Sequence, residues 1–138
     1  MSNGLPANGS VLYSPYLWRW QHEKGETEGR KDRPVCLLLA IPGARRAHIL
    51  LFAISGTPPA AEQVALVVPP LERRRAGLLE WKEAWITVSE FNFDVGEGSW
   101  YFDPKTEISG KFSSAFIAKV ALAARPFIAK SISRVDRA

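Results

Sequence analysis

The chain is poor in the residues that staple or metallate small proteins. One cysteine, Cys36, in 138 residues excludes a disulfide framework and any multi-cysteine zinc site. Only two histidines are present, His22 and His48. The opening residues lack a basic stretch followed by an apolar run, so no signal peptide is expected. The longest apolar stretches, at 35–41 and 49–54, are too short to span a bilayer, so no membrane partner and a cytoplasmic location are expected. No internal repeat or low-complexity tract is present. Hydrophobic residues make up 46 % and charged residues 23 %, which excludes a largely disordered chain and allows a core of ordinary size in one domain.

Residues 1–10, rich in Gly, Asn, Ser and Pro, read as a flexible lead-in. Residues 11–20 are aromatic and β-favouring and predict a strand, followed by a polar loop over 21–32. Residues 34–41 are apolar on both faces apart from Cys36 and predict a central strand, Cys36 being a small core residue. Turn residues at 42–46 and a second apolar run from His48 to Ile54 make the pair a hairpin. A short strand over 63–68, a helical turn or two from Pro70, a strand over 85–91 and an edge strand over 99–102 follow. Residues 111–128 place Phe112, Phe116, Val120, Ala124 and Phe127 on one helical stripe, and Pro126 should bend or end that helix. The expected architecture is mainly β: one barrel domain over 11–130, covered by a C-terminal helix at 111–128, with a basic tail at 131–138.

The loop from Gly25 to Pro34 runs through Glu26, Glu28, Arg30, Lys31 and Asp32 into the central strand at Arg33. Pro34 biases Arg33 towards an extended backbone. Hairpin topology puts the start of this strand beside the end of the next, where Ser55-Gly56-Thr57 lies. A guanidinium beside a hydroxyl suits a phosphate; an Arg paired with a loop carboxylate and a Ser closing a turn is the plainer alternative. His22 and His48 fall at separate ends and form a poor acid–base pair. Glu90 and Asp94 read as a solvated rim rather than a metal site. Phe91, Phe93, Trp100, Tyr101 and Phe102 serve equally as base-stacking platforms or as core. The run Glu72-Arg73-Arg74-Arg75 reads as a solvated helix face, with RNA phosphate as the sharper alternative.

The order of these pieces resembles the MazF/PemK family of bacterial toxins, in a divergent PemK-like form. The resemblance lies in Tyr16-Leu17-Trp18, the loop ending Gly29-Arg30-Lys31-Asp32-Arg33-Pro34, the apolar strand after it, Ala53-Ile54-Ser55-Gly56-Thr57-Pro58-Pro59, and Trp85-Ile86-Thr87-Val88-Ser89-Glu90-Phe91-Asn92. It covers roughly residues 11–95. It implies an SH3-like barrel of the MazF/PemK/CcdB type, a homodimer, a cognate antitoxin, and cleavage of single-stranded RNA with no metal or other cofactor. The family's catalytic Arg corresponds to Arg33 and its catalytic Thr to Ser55, with Thr57 as a substitute if the register slips. Glu26 and Glu28 are candidates to support proton transfer, and Arg30, Lys31, Asn92 and Phe93 to bind RNA. The alternative is a non-catalytic barrel that kept the fold and binds a protein or RNA.

The net charge of +4 is unevenly placed. Residues 108–138 hold six basic residues and one acidic, whereas residues 1–107 hold 12 basic and 13 acidic. The overall basicity therefore belongs to the C-terminal helix and tail, and the case for an anion at Arg33 rests on Arg30, Lys31 and Arg33 alone.

Overall fold

A computed structural model describes residues 5–29, 31–39, 48–96 and 98–137. Along the chain these form β1 (Ser10–Ser14), α1 (Arg19–Glu23), β2 (Arg33–Leu39), β3 (His48–Ser55), β4 (Ala65–Val67), α2 (Pro70–Arg75), β5 (Trp85–Thr87), β6 (Phe91–Val95), β7 (Ile108–Lys111), α3 (Ser114–Ile128), a 3-10 turn (Ser131–Ser133) and β8 (Arg134–Asp136). The protein is mainly β, and its described residues form one eight-stranded sheet. Every pairing described is antiparallel except β6 with β8.

The sheet forks at β3. One edge of β3 runs along β2, with Val35 opposite Ala53 and Leu38 opposite Leu50. Its other edge is shared: His48 to Leu51 pair with β6, and Ile54 and Ser55 pair with β5. The strand expected over 85–91 is thus two strands. The break has a local cause: Val64 is bridged to the chain between them, its N–H donating to Ser89 Oγ and its carbonyl accepting from Val88 N–H.

Both faces of the central strands are covered, which is why 34–39 and 49–54 carry no polar alternation. Cys36, Leu38, Leu50, Phe52 and Ile54 join one core cluster with Phe116, Ile117, Val120 and Ala124 of α3. The alternate residues Val35, Leu37, Ile49, Leu51 and Ala53 join Leu12, Tyr16 and Phe102 on the opposite face. Burial of the Cys36 thiol pushes its pKa up to about 12, so it stays protonated at neutral pH.

The helix expected over 111–128 begins at Ser114, because Phe112 N–H still bonds to Gly9 and Ser113 Oγ accepts from Phe116 N–H as the cap. Pro126 lies within its last turn without ending it. Glu72 of α2 anchors this start, accepting from both Ser113 N–H (2.9 Å) and Ser113 Oγ (2.7 Å). The run 72–75 is therefore not wholly a solvated face, since Glu72 is buried. At the end of α2, Gly77 adopts a φ of 78°, and a Cβ there would run into the Ser109 carbonyl.

Three further expectations change. Residues 15–20 leave the sheet: Gln21 Oε1 accepts from Trp18 N–H (3.0 Å), turning 19–23 into a helix despite its aromatic content. Residues 99–102 form a turn, because Ser99 Oγ accepts from Tyr101 and Phe102 N–H; the edge strand beside β1 is instead β7. The basic tail is not a loose extension, since residues 134–136 pair with β6 as β8. The hairpin turn at 42–46 lies outside the described residues. Among the described residues, no helix is long and apolar enough to cross a membrane.

Candidate functional site

Alternation along the strands decides what stands beside Arg33. The ladder between β2 and β3 ends at Val35 and Ala53, so Arg33 and Ser55 lie beyond its last pair, at the same end of the sheet. Ser14 lies opposite Arg33 on β1, and Trp85 opposite Ser55 on β5. The pairs Ser14–Arg33 and Ser55–Trp85 therefore stand at one end of the sheet.

Arg33 is half-buried and its guanidinium carbon lies 5.2 Å from the centre of the Trp18 ring, within cation–π range. Burial lowers its pKa from the ordinary value, with the Tyr16 phenol acting the other way. Arg33, Lys31, Tyr16, Trp18, Trp20 and Gln21 line a cleft of ≈ 330 Å³. Two cations and three aromatic rings thus converge at one opening. That combination is chemically suited to an anion flanked by flat apolar groups. Tyr16, Trp18 and Trp20 were legible only as a strand; their spacing of two, followed by a basic loop, is the signal that marks them.

The cleft wall is held by buried polar contacts. Tyr16 hydroxyl donates to Glu90 Oε2 (3.2 Å), which also accepts from Arg19 N–H (2.8 Å). Burial pushes the Tyr16 pKa well up, and the Glu90 charge and hydrogen bond add to this, so the phenol remains a donor. Burial likewise raises the Glu90 pKa, opposed by its hydrogen bonds from Arg19, Tyr16 and Gln63. Asn92 stands in for a strand neighbour: its Oδ1 accepts from Leu17 N–H (2.9 Å) and its Nδ2 donates to Leu17 carbonyl (2.7 Å).

Arg137, the residue after β8, packs against the same wall. Its guanidinium donates to Pro15 carbonyl, to Asn92 Oδ1 (3.1 Å) and to Thr27 carbonyl (3.1 Å), and lies 3.7 Å from the centre of the Tyr101 ring. No sequence signal pointed to Arg137 or to Glu90 in this role.

The expected site residues separate accordingly. Arg33 and Lys31 meet at the cleft. Ser55 ends the adjacent strand, and its Oγ accepts from the N–H of Thr57 (3.0 Å), so Ser55 closes a turn while Thr57 is exposed. Glu26 is half-buried with its N–H on Gln21 carbonyl, and Glu28 is exposed with its charge acting on Arg137; neither lines the cleft. Asn92 was expected to touch RNA, but it is fully buried and its amide is consumed by Leu17 and Arg137. Phe93 is partly buried, stacked on His48 at 5.0 Å with the Arg134 guanidinium 3.6 Å from its ring centre. Arg30 lies outside the described residues. Asp94 was read with Glu90 as a solvated rim, but both are buried; Asp94 accepts from Ser99 Oγ (2.6 Å) and Val95 N–H (2.7 Å). Among the described residues, no group of three or more His, Cys, Asp or Glu could hold a metal ion.

No family model, curated protein or solved structure matches the chain.

Proposed function

We propose that this chain is an RNA-cleaving toxin of the MazF/PemK kind, folded as an SH3-like barrel with a C-terminal helix. The single observation that carries the reading is the cleft where Arg33 and Lys31 meet Tyr16, Trp18 and Trp20. The forked sheet, with β3 shared between two arms, supports the barrel, because small barrels turn their corners at strands that serve two sheets.

RNA brings its own nucleophile in the 2′-OH. That oxygen attacks the adjacent phosphorus, its proton passes to solvent, the bond to the 5′ oxygen breaks, and the leaving oxygen takes up a proton. The products are a 2′,3′-cyclic phosphate and a 5′-hydroxyl. Arg33 neutralises the charge that grows on the equatorial phosphate oxygens, the largest contribution in such sites. Its half-burial removes competing water, and the Trp18 face fixes the fork. Lys31 holds a neighbouring phosphate as a point charge, while Trp18 and Trp20 offer stacking faces to the bases. Ser55 acts as a positioning donor through its hydroxyl hydrogen, since its oxygen already accepts from Thr57. Within the same reading, the protein works as a cytoplasmic homodimer restrained by a separate antitoxin.

That same engagement of Ser55 favours a second reading, a barrel that binds single-stranded RNA without cutting it. The test is incubation of the purified chain with a long single-stranded RNA in the absence of divalent metal. Fragments ending in 2′,3′-cyclic phosphate, lost in Arg33→Ala, are expected. Intact RNA that is nonetheless bound through Arg33 supports the second reading. Intact and unbound RNA, with folded protein, refutes both.

A further inference from the structure

The strand order ends at β4, and among the described residues only β5 pairs with it. Val64 carbonyl accepts from Val88 N–H (2.9 Å), and Val68 N–H donates to Ala84 carbonyl (2.8 Å). Bonded positions alternate along an antiparallel ladder, so Ala65 and Val67 turn their N–H and carbonyl groups away from β5, towards the outer edge. Along that edge runs a groove of ≈ 440 Å³, with Leu66, Val67 and Pro69 on one side and Phe116, Leu122 and Ala123 of α3 on the other. Val64, Val67 and Leu122 are 47 %, 61 % and 69 % exposed, so large apolar side chains stand in water beside an open sheet edge. The charge at the groove is of one sign. Lys119 is the charged residue in its lining, and Arg73 sits at the end of β4, its guanidinium donating to Val68 carbonyl (3.4 Å). From Ser114 to Ile128, α3 carries Lys119 and Arg125 and no acidic residue. Glu62, ahead of β4, lines the separate cavity beside α1.

We propose that this edge docks an extended acidic segment of a partner protein, which adds to β4 as an antiparallel strand and lays an apolar side chain in the groove against α3. An edge strand flanked by a helix supplies both parts of strand addition: main-chain bonds at Ala65 and Val67 for affinity, and a side-chain pocket for specificity. Pro69 and Pro70 follow β4, and neither has an N–H with which to continue the ladder, so the added strand is short. Acidic residues in the segment pair with Lys119 and Arg73. A second copy fits this face less well. Three exposed apolar side chains and a three-residue edge fall short of the about 800 Å² per partner that a stable dimer buries, and both copies would bring the same cations. The inference does not rest on the RNA reading, because β5 and β3 separate β4 from β2 and Arg33.

The test pans the full chain against a phage-displayed library of random short peptides, then titrates the enriched sequence, made synthetically, by calorimetry. Enriched peptides are expected to carry apolar residues at alternate positions and a net negative charge. Methylating alternate backbone nitrogens of the peptide, on the edge that faces β4, should weaken binding about tenfold or more, a loss that side-chain docking alone would not show. Leu122→Asp and Lys119→Glu, both at exposed positions, should each weaken binding about tenfold and leave thermal unfolding unchanged. Val67→Pro removes an outward N–H and no bond to β5, so it should do the same; if that variant does not fold, the methylated peptide reads the same bonds. No enrichment, enriched peptides of helical spacing or net positive charge, or binding indifferent to methylation overturns the proposal. So does a dimer of the chain that Leu122→Asp dissociates, which would give the face to a second copy. Binding lost in Arg33→Ala would place the acidic peptide in the Arg33 cleft and overturn it as well.

Discussion

Replacing Arg137 with Ala should cost more stability than any other single change near the C-terminus. Arg137 is 8 % exposed, and its guanidinium bonds to three acceptors: Pro15 carbonyl, Asn92 Oδ1 and Thr27 carbonyl. Charged hydrogen bonds of this sort contribute about 1.5–3 kcal/mol each, but the three are not additive here. Thr27 is exposed, so water replaces the arginine at its carbonyl. Asn92 Oδ1 keeps its bond from Leu17 N–H. Arg137 Nε is also buried without a hydrogen-bond partner, which lowers the net worth of the native arrangement. The loss of the bond to the half-buried Pro15 carbonyl, a partial loss at Asn92 and the lost contact with the Tyr101 ring leave about 3–4 kcal/mol. For a chain of this size that lowers Tm by roughly 10 °C. Urea unfolding of wild type, Arg137→Ala, Arg137→Lys and Arg137→Met measures it. The Met variant retains stem packing and isolates the fork, and the Lys variant, unable to reach three acceptors at once, should fall between. A loss below about 0.5 kcal/mol in Arg137→Ala would refute the view that this residue clamps 15–27 against β6.

Glu72→Gln should destabilise by about 1–3 kcal/mol at neutral pH, because the buried carboxylate caps α3 through Ser113 and pairs with Arg75 at 2.7 Å. Burial raises its pKa, but the hydrogen bonds from Ser113 and Arg75 outweigh this and hold it below the usual carboxylate value. A depressed folded-state pKa stabilises above the unfolded value and loses that contribution as pH falls through the carboxylate range, so the wild-type minus variant difference in urea midpoint should shrink below about pH 4. Gly29→Ala should displace the loop that carries Lys31, since a Cβ there would stand 2.6 Å from the Pro15 carbonyl carbon and 2.7 Å from the Tyr16 carbonyl oxygen. A cost of about 1–3 kcal/mol in thermal unfolding is expected, together with weaker RNA binding; a neutral result would show that the loop approaches Pro15 less closely.

The β-rich character and the central hairpin were legible because burial on both faces removes polar alternation, and that signal needs no partner to be seen. The same holds for α3, whose stripe of Phe116, Val120 and Ala124 is periodic in itself. The place of Arg33 at the start of β2 was legible because Pro34 and the change from loop to strand mark it. Residues 15–23 were not, because two side-chain contacts override a strand-like composition: Gln21 on the Trp18 N–H, and Asn92 on the Leu17 backbone 75 residues away.

By itself the sequence determined the quantities that follow from local pattern: apolar runs, helical period and the lone buried thiol. Tertiary structure alone decided which polar groups lie together. Glu90 reads as a solvated rim and Asn92 as an RNA contact in the sequence, yet burial against Tyr16, Leu17 and Arg137 makes them internal supports. Arg137 reads as a surface charge on a basic tail, and only the parallel pairing of β8 with β6 carries it under the 15–27 segment. The physical reason is the same in each case. A polar side chain far along the chain becomes structural when folding removes its water and offers a partner, and sequence spacing holds no record of either event.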